Sequence, residues 1–177
     1  MIQLKKRCIP VEGSCVVLVG MPGSGKSTVG KALNLKSGLA WVDTDYLMES
    51  WWGMPLQAIR DRLGLEDFLV AEEELICSLK LYSTVISTGG SVIFSPLSMK
   101  HLEKLGKIVY LKASLETIKN RIKNTAMRGL AMRKGQSIED VYDERISLYE
   151  KYAQKVIDTD DVQPDENAIE IMSWLEK

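Results

Sequence analysis

A single doubly wound α/β domain, a parallel sheet wrapped by helices on both faces, is the fold class that the 177-residue sequence predicts. Short apolar runs alternate along the chain with longer amphipathic segments, the rhythm of strand and crossover helix. The apolar runs are continuous, which suits strands covered on both sides; a strand with one wet face would alternate. Hydrophobic residues make up 45% of the chain, enough for one sizeable core, and no repeat, low-complexity tract or linker divides it.

Taken in order, strands are expected over 16–19, 40–42, 84–87 and 108–111, with a fifth at 156–157. Helical periodicity fills the intervals at 26–35, 56–63, 66–81, 115–122, 138–154 and 165–175. His101, the only histidine, follows Pro96 on a surface helix, so no histidine triad or histidine metal site can be built. Leu75, Ile76 and Leu79 read as core. Of Trp51 and Trp52, one is expected to pack on the sheet and the other to be partly exposed. The least regular stretch, "NTAMRGLAMRKGQS" at 124–137, carries Arg128, Arg133 and Lys134 and reads as a lid within the one domain 1–177.

Charge removes several function classes. Lys and Arg number 23 against 24 Asp and Glu, so there is no basic field of the kind that a nucleic-acid backbone requires. Cys8, Cys15 and Cys77 are odd in number and form no CxxC pair, which points to thiols in a reducing compartment. No apolar run approaches a membrane span, and Lys5-Lys6-Arg7 is not followed by a signal-peptide apolar region. A soluble, cytoplasmic monomer is expected, without nucleic-acid or membrane partners.

"GMPGSGKST", residues 20–28, meets the pattern G-x-x-x-x-G-K-[ST] at Gly20, Gly25, Lys26 and Ser27, directly after a strand and before a helix. Such a match arises by chance in under about one chain in a hundred of this length. The glycines let successive N–H groups converge on phosphate oxygens, and the helix N-terminus adds its partial positive charge. Gly23, Ser24, Gly25, Lys26, Ser27 and Thr28 are therefore expected to hold ATP, with Lys26 on the β and γ phosphates and the Ser27 hydroxyl on Mg²⁺. The dinucleotide pattern G-x-G-x-x-G fails, because Thr28 stands where a third small residue belongs.

"WVDTDYLMES" follows the second strand, so Asp43 and Asp45 stand at the sheet edge where α/β folds place ligands. On a still-extended chain the two would point to the same side, one toward Mg²⁺ and one toward an acceptor hydroxyl. A Walker B acid is absent after the third strand, which makes Asp43 the better magnesium candidate. There "STGGS" instead brings the bare backbone of Gly89 and Gly90 to the same edge.

These stretches, with "NTAMRG" and "ERISLYEKYAQKVIDT", resemble the shikimate kinase family of small P-loop kinases over about residues 14–176. The resemblance implies a five-stranded parallel sheet in the order 2-3-1-4-5, ATP and Mg²⁺, a closing lid, and phosphorylation of a ring hydroxyl on a small carboxylate-bearing acceptor. It implies Asp45 at the reacting hydroxyl, Asp43 near Mg²⁺, and Arg128 as the lid arginine. It also implies Arg121 beside adenine, Arg145 on the acceptor carboxylate, and "DTDDVQP", ending at Pro164, along the base. Lys26, Asp45 and Arg128 would be the catalytic set.

The chain departs from the family at the acceptor. Where Phe-Arg is usual there is Phe68-Leu69, so a guanidinium that forks onto the carboxylate is missing. Losing that contact from a dry site costs on the order of 2 to 4 kcal/mol, roughly 30- to 1,000-fold in affinity. Ser91 replaces a glycine, and Gly129 a proline. Arg60, eight residues before Phe68, could supply a cation in its place and form a relocated clamp with Arg145. Shikimate leads as acceptor; another small hydroxy acid such as homoserine, or a regulatory nucleotide-binding module without transfer, stays open.

Overall fold

Five parallel strands form one sheet in the order β2-β3-β1-β4-β5. The structure is a computed structural model that describes residues 13–123, 132, 133 and 135–176. Arg128 and most of the expected lid, like Cys8, lie outside the described residues. In chain order the elements are β1 (Cys15–Val19), α1 (Lys26–Ser37), β2 (Ala40–Asp43), α2 (Thr44–Trp52), α3 (Leu56–Ser78) and β3 (Thr84–Ser87). A single 3₁₀ turn, Val92–Phe94, precedes α4 (Pro96–Leu105), β4 (Gly106–Lys112), α5 (Leu115–Lys123), α6 (Ile138–Tyr152), β5 (Lys155–Asp158) and α7 (Pro164–Leu175).

The central strand shows why its run is apolar throughout. Cys15, Val17 and Val19 face one core layer, against Ile76 of α3, Leu102 of α4 and Tyr149 of α6. Val16 and Leu18 face the other, against Val29 and Leu33 of α1 and Ile171 of α7. Alternate side chains leave a strand on opposite faces, so two covered faces require every residue to be apolar. A third, smaller cluster of Met48, Leu56, Ile59, Phe68 and Leu75 joins α2 to α3 as a lobe beside the end of β2.

Two expectations are corrected here. The chain does not stay extended from Asp43 to Asp45: it enters α2 at Thr44, because the Asp43 carboxylate accepts the backbone N–H of Asp45 at 3.0 Å and caps the helix. Nor does either tryptophan pack on the sheet. Trp51 and Trp52 are 61% and 42% exposed in the last turn of α2, beyond Met48, whose side chain that helix buries.

The helices expected at 56–63 and 66–81 are both present as the two halves of α3, which meet at a break at Gly64 (φ 76°, ψ −179°), a backbone that a side chain resists. Leu75, Ile76 and Leu79 are buried as expected, and Cys15 and Cys77 are free thiols. His101 lies on α4, its ring Nε2 2.9 Å from the carbonyl of Leu79. Among the described residues no helix is long and apolar enough to cross a membrane.

Candidate active site

The C-terminal ends of β1, β2 and β3 open into a cleft of about 900 Å³. After β1 the chain curls through Gly20, Gly23 and Gly25, all at positive φ, and enters α1 at Lys26. No side chain fits at Gly20, where a Cβ would stand 2.6 Å from the Leu111 carbonyl oxygen and 2.8 Å from Ser24 Oγ. Residues 23–28 all line the cleft, and Ser24 Oγ is buried there without a hydrogen-bond partner. A glycine cradle at a helix N-terminus, with an unsatisfied hydroxyl inside it, fits the polyphosphate of ATP.

Lys26 is 8% exposed and its Nζ donates to the carbonyls of Gly20 and Met21 at 2.8 and 2.9 Å, which pins the ammonium across the loop. Burial lowers its pKa to about 8, against the opposing pull of Asp45 and Asp43. Ser27 Oγ donates to Asp43 Oδ2 at 2.6 Å, so the hydroxyl and carboxylate expected at Mg²⁺ stand side by side. Oxygen donors of this kind, completed by phosphate and water, suit that ion. Asp45, in the first turn of α2, lines the same cleft. Burial, with the charge of Asp43, lifts its carboxyl to about 6, against the pull of Lys26.

At the far end of the cleft lie Arg121, Thr159 and Pro164. Arg121 donates to the Thr159 carbonyl at 2.6 Å and to the Gly23 carbonyl at 3.3 Å. Thr159 Oγ1 donates to the Ser24 carbonyl at 3.1 Å, so this end is tied to the phosphate loop. Asn167 of α7, which no sequence signal marked, is 2% exposed, lines the cleft and has its Oδ1 without a partner.

A second cavity of about 50 Å³ shares Lys26 and Asp45 with the cleft and runs on to Gly89, Gly90 and Arg145. Gly89 is held by its N–H, which donates to Thr44 Oγ1 at 3.0 Å. Arg145 is 1% exposed; its Nη1 donates to the Gly90 carbonyl at 3.1 Å, and its guanidinium lies 5.2 Å from the ring centre of Phe94. Tyr149 OH donates to the same carbonyl at 2.6 Å while its ring stacks on Tyr110.

Arg60 is placed differently. Its Nη2 donates to the Met132 carbonyl at 2.7 Å, and it lines neither cavity. It is near enough to Arg145 for the two charges to oppose each other, but they do not meet at one pocket. Leu69 packs into the α2–α3 apolar cluster.

Glu72 is a second side chain, after Asn167, that sequence reading missed. It is 6% exposed, lines the smaller cavity, and accepts 2.7 Å from Ser91 Oγ. Burial raises its pKa to about 7, with Asp45 adding to the rise and Ser91, Arg145 and Lys26 opposing it. A signal existed: Glu72 falls on the helical face of Phe68, Leu75 and Ile76, whereas Glu73 and Glu74 do not.

A sequence model described as shikimate kinase matches residues 22–176. A shikimate kinase of Thermodesulfovibrio yellowstonii is 37% identical over 168 residues, covering 92% of this chain and 95% of that protein. Among solved structures, a shikimate kinase from Acinetobacter baumannii in complex with shikimate superposes with a TM-score of 0.83 at 26% identity, over 96% of this chain and 94% of that one. One from Aquifex aeolicus gives 0.78 at 28%, over 92% and 96%.

Proposed function

This chain belongs to the shikimate kinase family, and from that premise we propose that it transfers the γ-phosphoryl group of ATP to a ring hydroxyl of shikimate. The observation that carries the reading is that Lys26 and Asp45 belong to both cavities, so one pair of side chains faces a nucleotide on one side and an acceptor on the other.

Phosphoryl transfer asks for alignment and charge neutralisation more than for covalent help from the protein. The backbone of 20–27 cradles the polyphosphate, and Lys26 meets the charge that develops on its outer oxygens. Ser27 and Asp43 hold Mg²⁺, which supplies further positive charge there. Asp45 orients the acceptor hydroxyl and takes its proton. Arg121 and Pro164 flank the base, Gly89 and Gly90 let the acceptor approach bare backbone, and Arg145 holds its carboxylate. Arg128 would add charge from the lid, and Arg60 would act on the acceptor only after releasing Met132. The enzyme works as a cytoplasmic monomer.

A coupled ADP-release assay tests this. ADP should form with shikimate and far more slowly with buffer alone; release that ignores the acceptor would make the protein an ATPase or a nucleotide switch instead.

A further inference from the structure

Resting on that reading of the site, we propose that its acceptor end also takes small hydroxylated amino acids, Glu72 receiving the ammonium group, Arg145 the carboxylate and Asp45 the hydroxyl. The charge around the smaller cavity leads there. Leu69, standing where the resemblance expects an arginine, lies among Met48, Phe68 and other apolar side chains, so position 69 supplies no cation. One helical turn on, Glu72 is buried at that cavity, and among the described residues no ion pair reaches it. Its hydrogen bond comes from Ser91, a neutral hydroxyl at a second departure from the family. Buried carboxylates are ordinarily matched by a cation.

Geometry places both acids on one gap. A Cβ built on Gly89 would collide with Glu72 Oε1 and stand 2.8 Å from Asp45 Oδ1, so the two carboxylates face each other across bare backbone. A plain hydroxy acid brings one negative charge, which Arg145 and Lys26 answer and Glu72 and Asp45 oppose. An amino acid carrying a hydroxyl brings a charge of each sign, and its ammonium supplies the partner that position 69 withholds. The transfer is the same in kind: the hydroxyl proton passes to Asp45, the oxygen–phosphorus bond forms, and the bond to the bridging oxygen breaks with its electron pair leaving on ADP.

The intact chain with Mg·ATP is assayed for ADP release against L-homoserine, N-acetyl-L-homoserine, shikimate and buffer, and acceptor binding with Mg·ADP present is followed by calorimetry. The parent should use L-homoserine at least about tenfold better in kcat/KM than its N-acetyl form. Glu72→Gln should erase that ratio and the heat of L-homoserine binding while nucleotide uptake persists. Leu69→Arg should shift preference toward shikimate by roughly 30-fold or more. Equal use of the two homoserine compounds by the parent, or no use above buffer, overturns the inference even if Glu72→Gln does not fold. Shikimate-dependent ADP release in those same assays would then leave the kinase reading standing, and its absence would remove both.

Discussion

Asp45 and Lys26 sit at the joint between the two cavities, but substituting them should have different consequences. Asp45 touches no phosphate-loop atom through any hydrogen bond that its side chain donates or accepts, whereas Lys26 spans the loop through Gly20 and Met21. Asp45→Asn should therefore lower kcat by about 10²- to 10⁴-fold, the range for a positioned proton acceptor, and leave Mg·ADP binding near that of the parent. Lys26→Met removes both a charge at the phosphates and a brace of the loop, so calorimetry should show weakened nucleotide uptake as well as lost turnover. An Asp45→Asn protein of full activity would remove that carboxylate from the chemistry. The loop was legible from residue type and spacing, because few other arrangements require Gly-x-x-x-x-Gly-Lys-Ser. Glu72 was not, since three consecutive glutamates look alike by type and only the helical face sorts them.

At the scale of elements, the strands were readable because a sheet covered on both sides leaves no room for polar residues in β1. α2 escaped notice because Asp43, at the end of β2, does two things at once. It caps the helix through the Asp45 N–H and accepts from Ser27, whereas the sequence pointed only to a place for both side chains near Mg²⁺. The exposed Trp51 and Trp52 also blur the amphipathic pattern of that helix. α3 depends on a different backbone choice, the positive φ of Gly64 that lets two helical segments meet at an angle. A Cβ there would meet no atom within 4 Å, so Gly64→Ala tests backbone strain alone. It should lower stability by about 1 to 3 kcal/mol, a fall of several degrees in Tm by thermal denaturation. An unchanged Tm would mean that α3 straightens without loss.

Across the whole molecule, the acceptor site draws on the stability of the fold. Glu72 has a folded-state pKa of about 7 against 4.5 for the free group, with burial as the chief cause and the charges of Asp45, Arg145 and Lys26 and the Ser91 hydroxyl facing it. A raised carboxyl binds its proton more tightly in the folded chain than in the unfolded one. Its favourable contribution is therefore complete below pH 4.5, declines as pH rises, and is gone above about 7. Asp45, lifted to about 6, works in the same direction, while Lys26, lowered to about 8, acts only at higher pH. Urea unfolding at pH 5 and pH 8 should show the parent losing ~2 to 3 kcal/mol more between the two conditions than Glu72→Gln, which has no proton to release. Parallel losses would mean that water or a cation already reaches Glu72 in the free protein. A larger loss in the parent would mean that ionising Glu72 strains the empty site, and that an acceptor bearing a positive charge would relieve it.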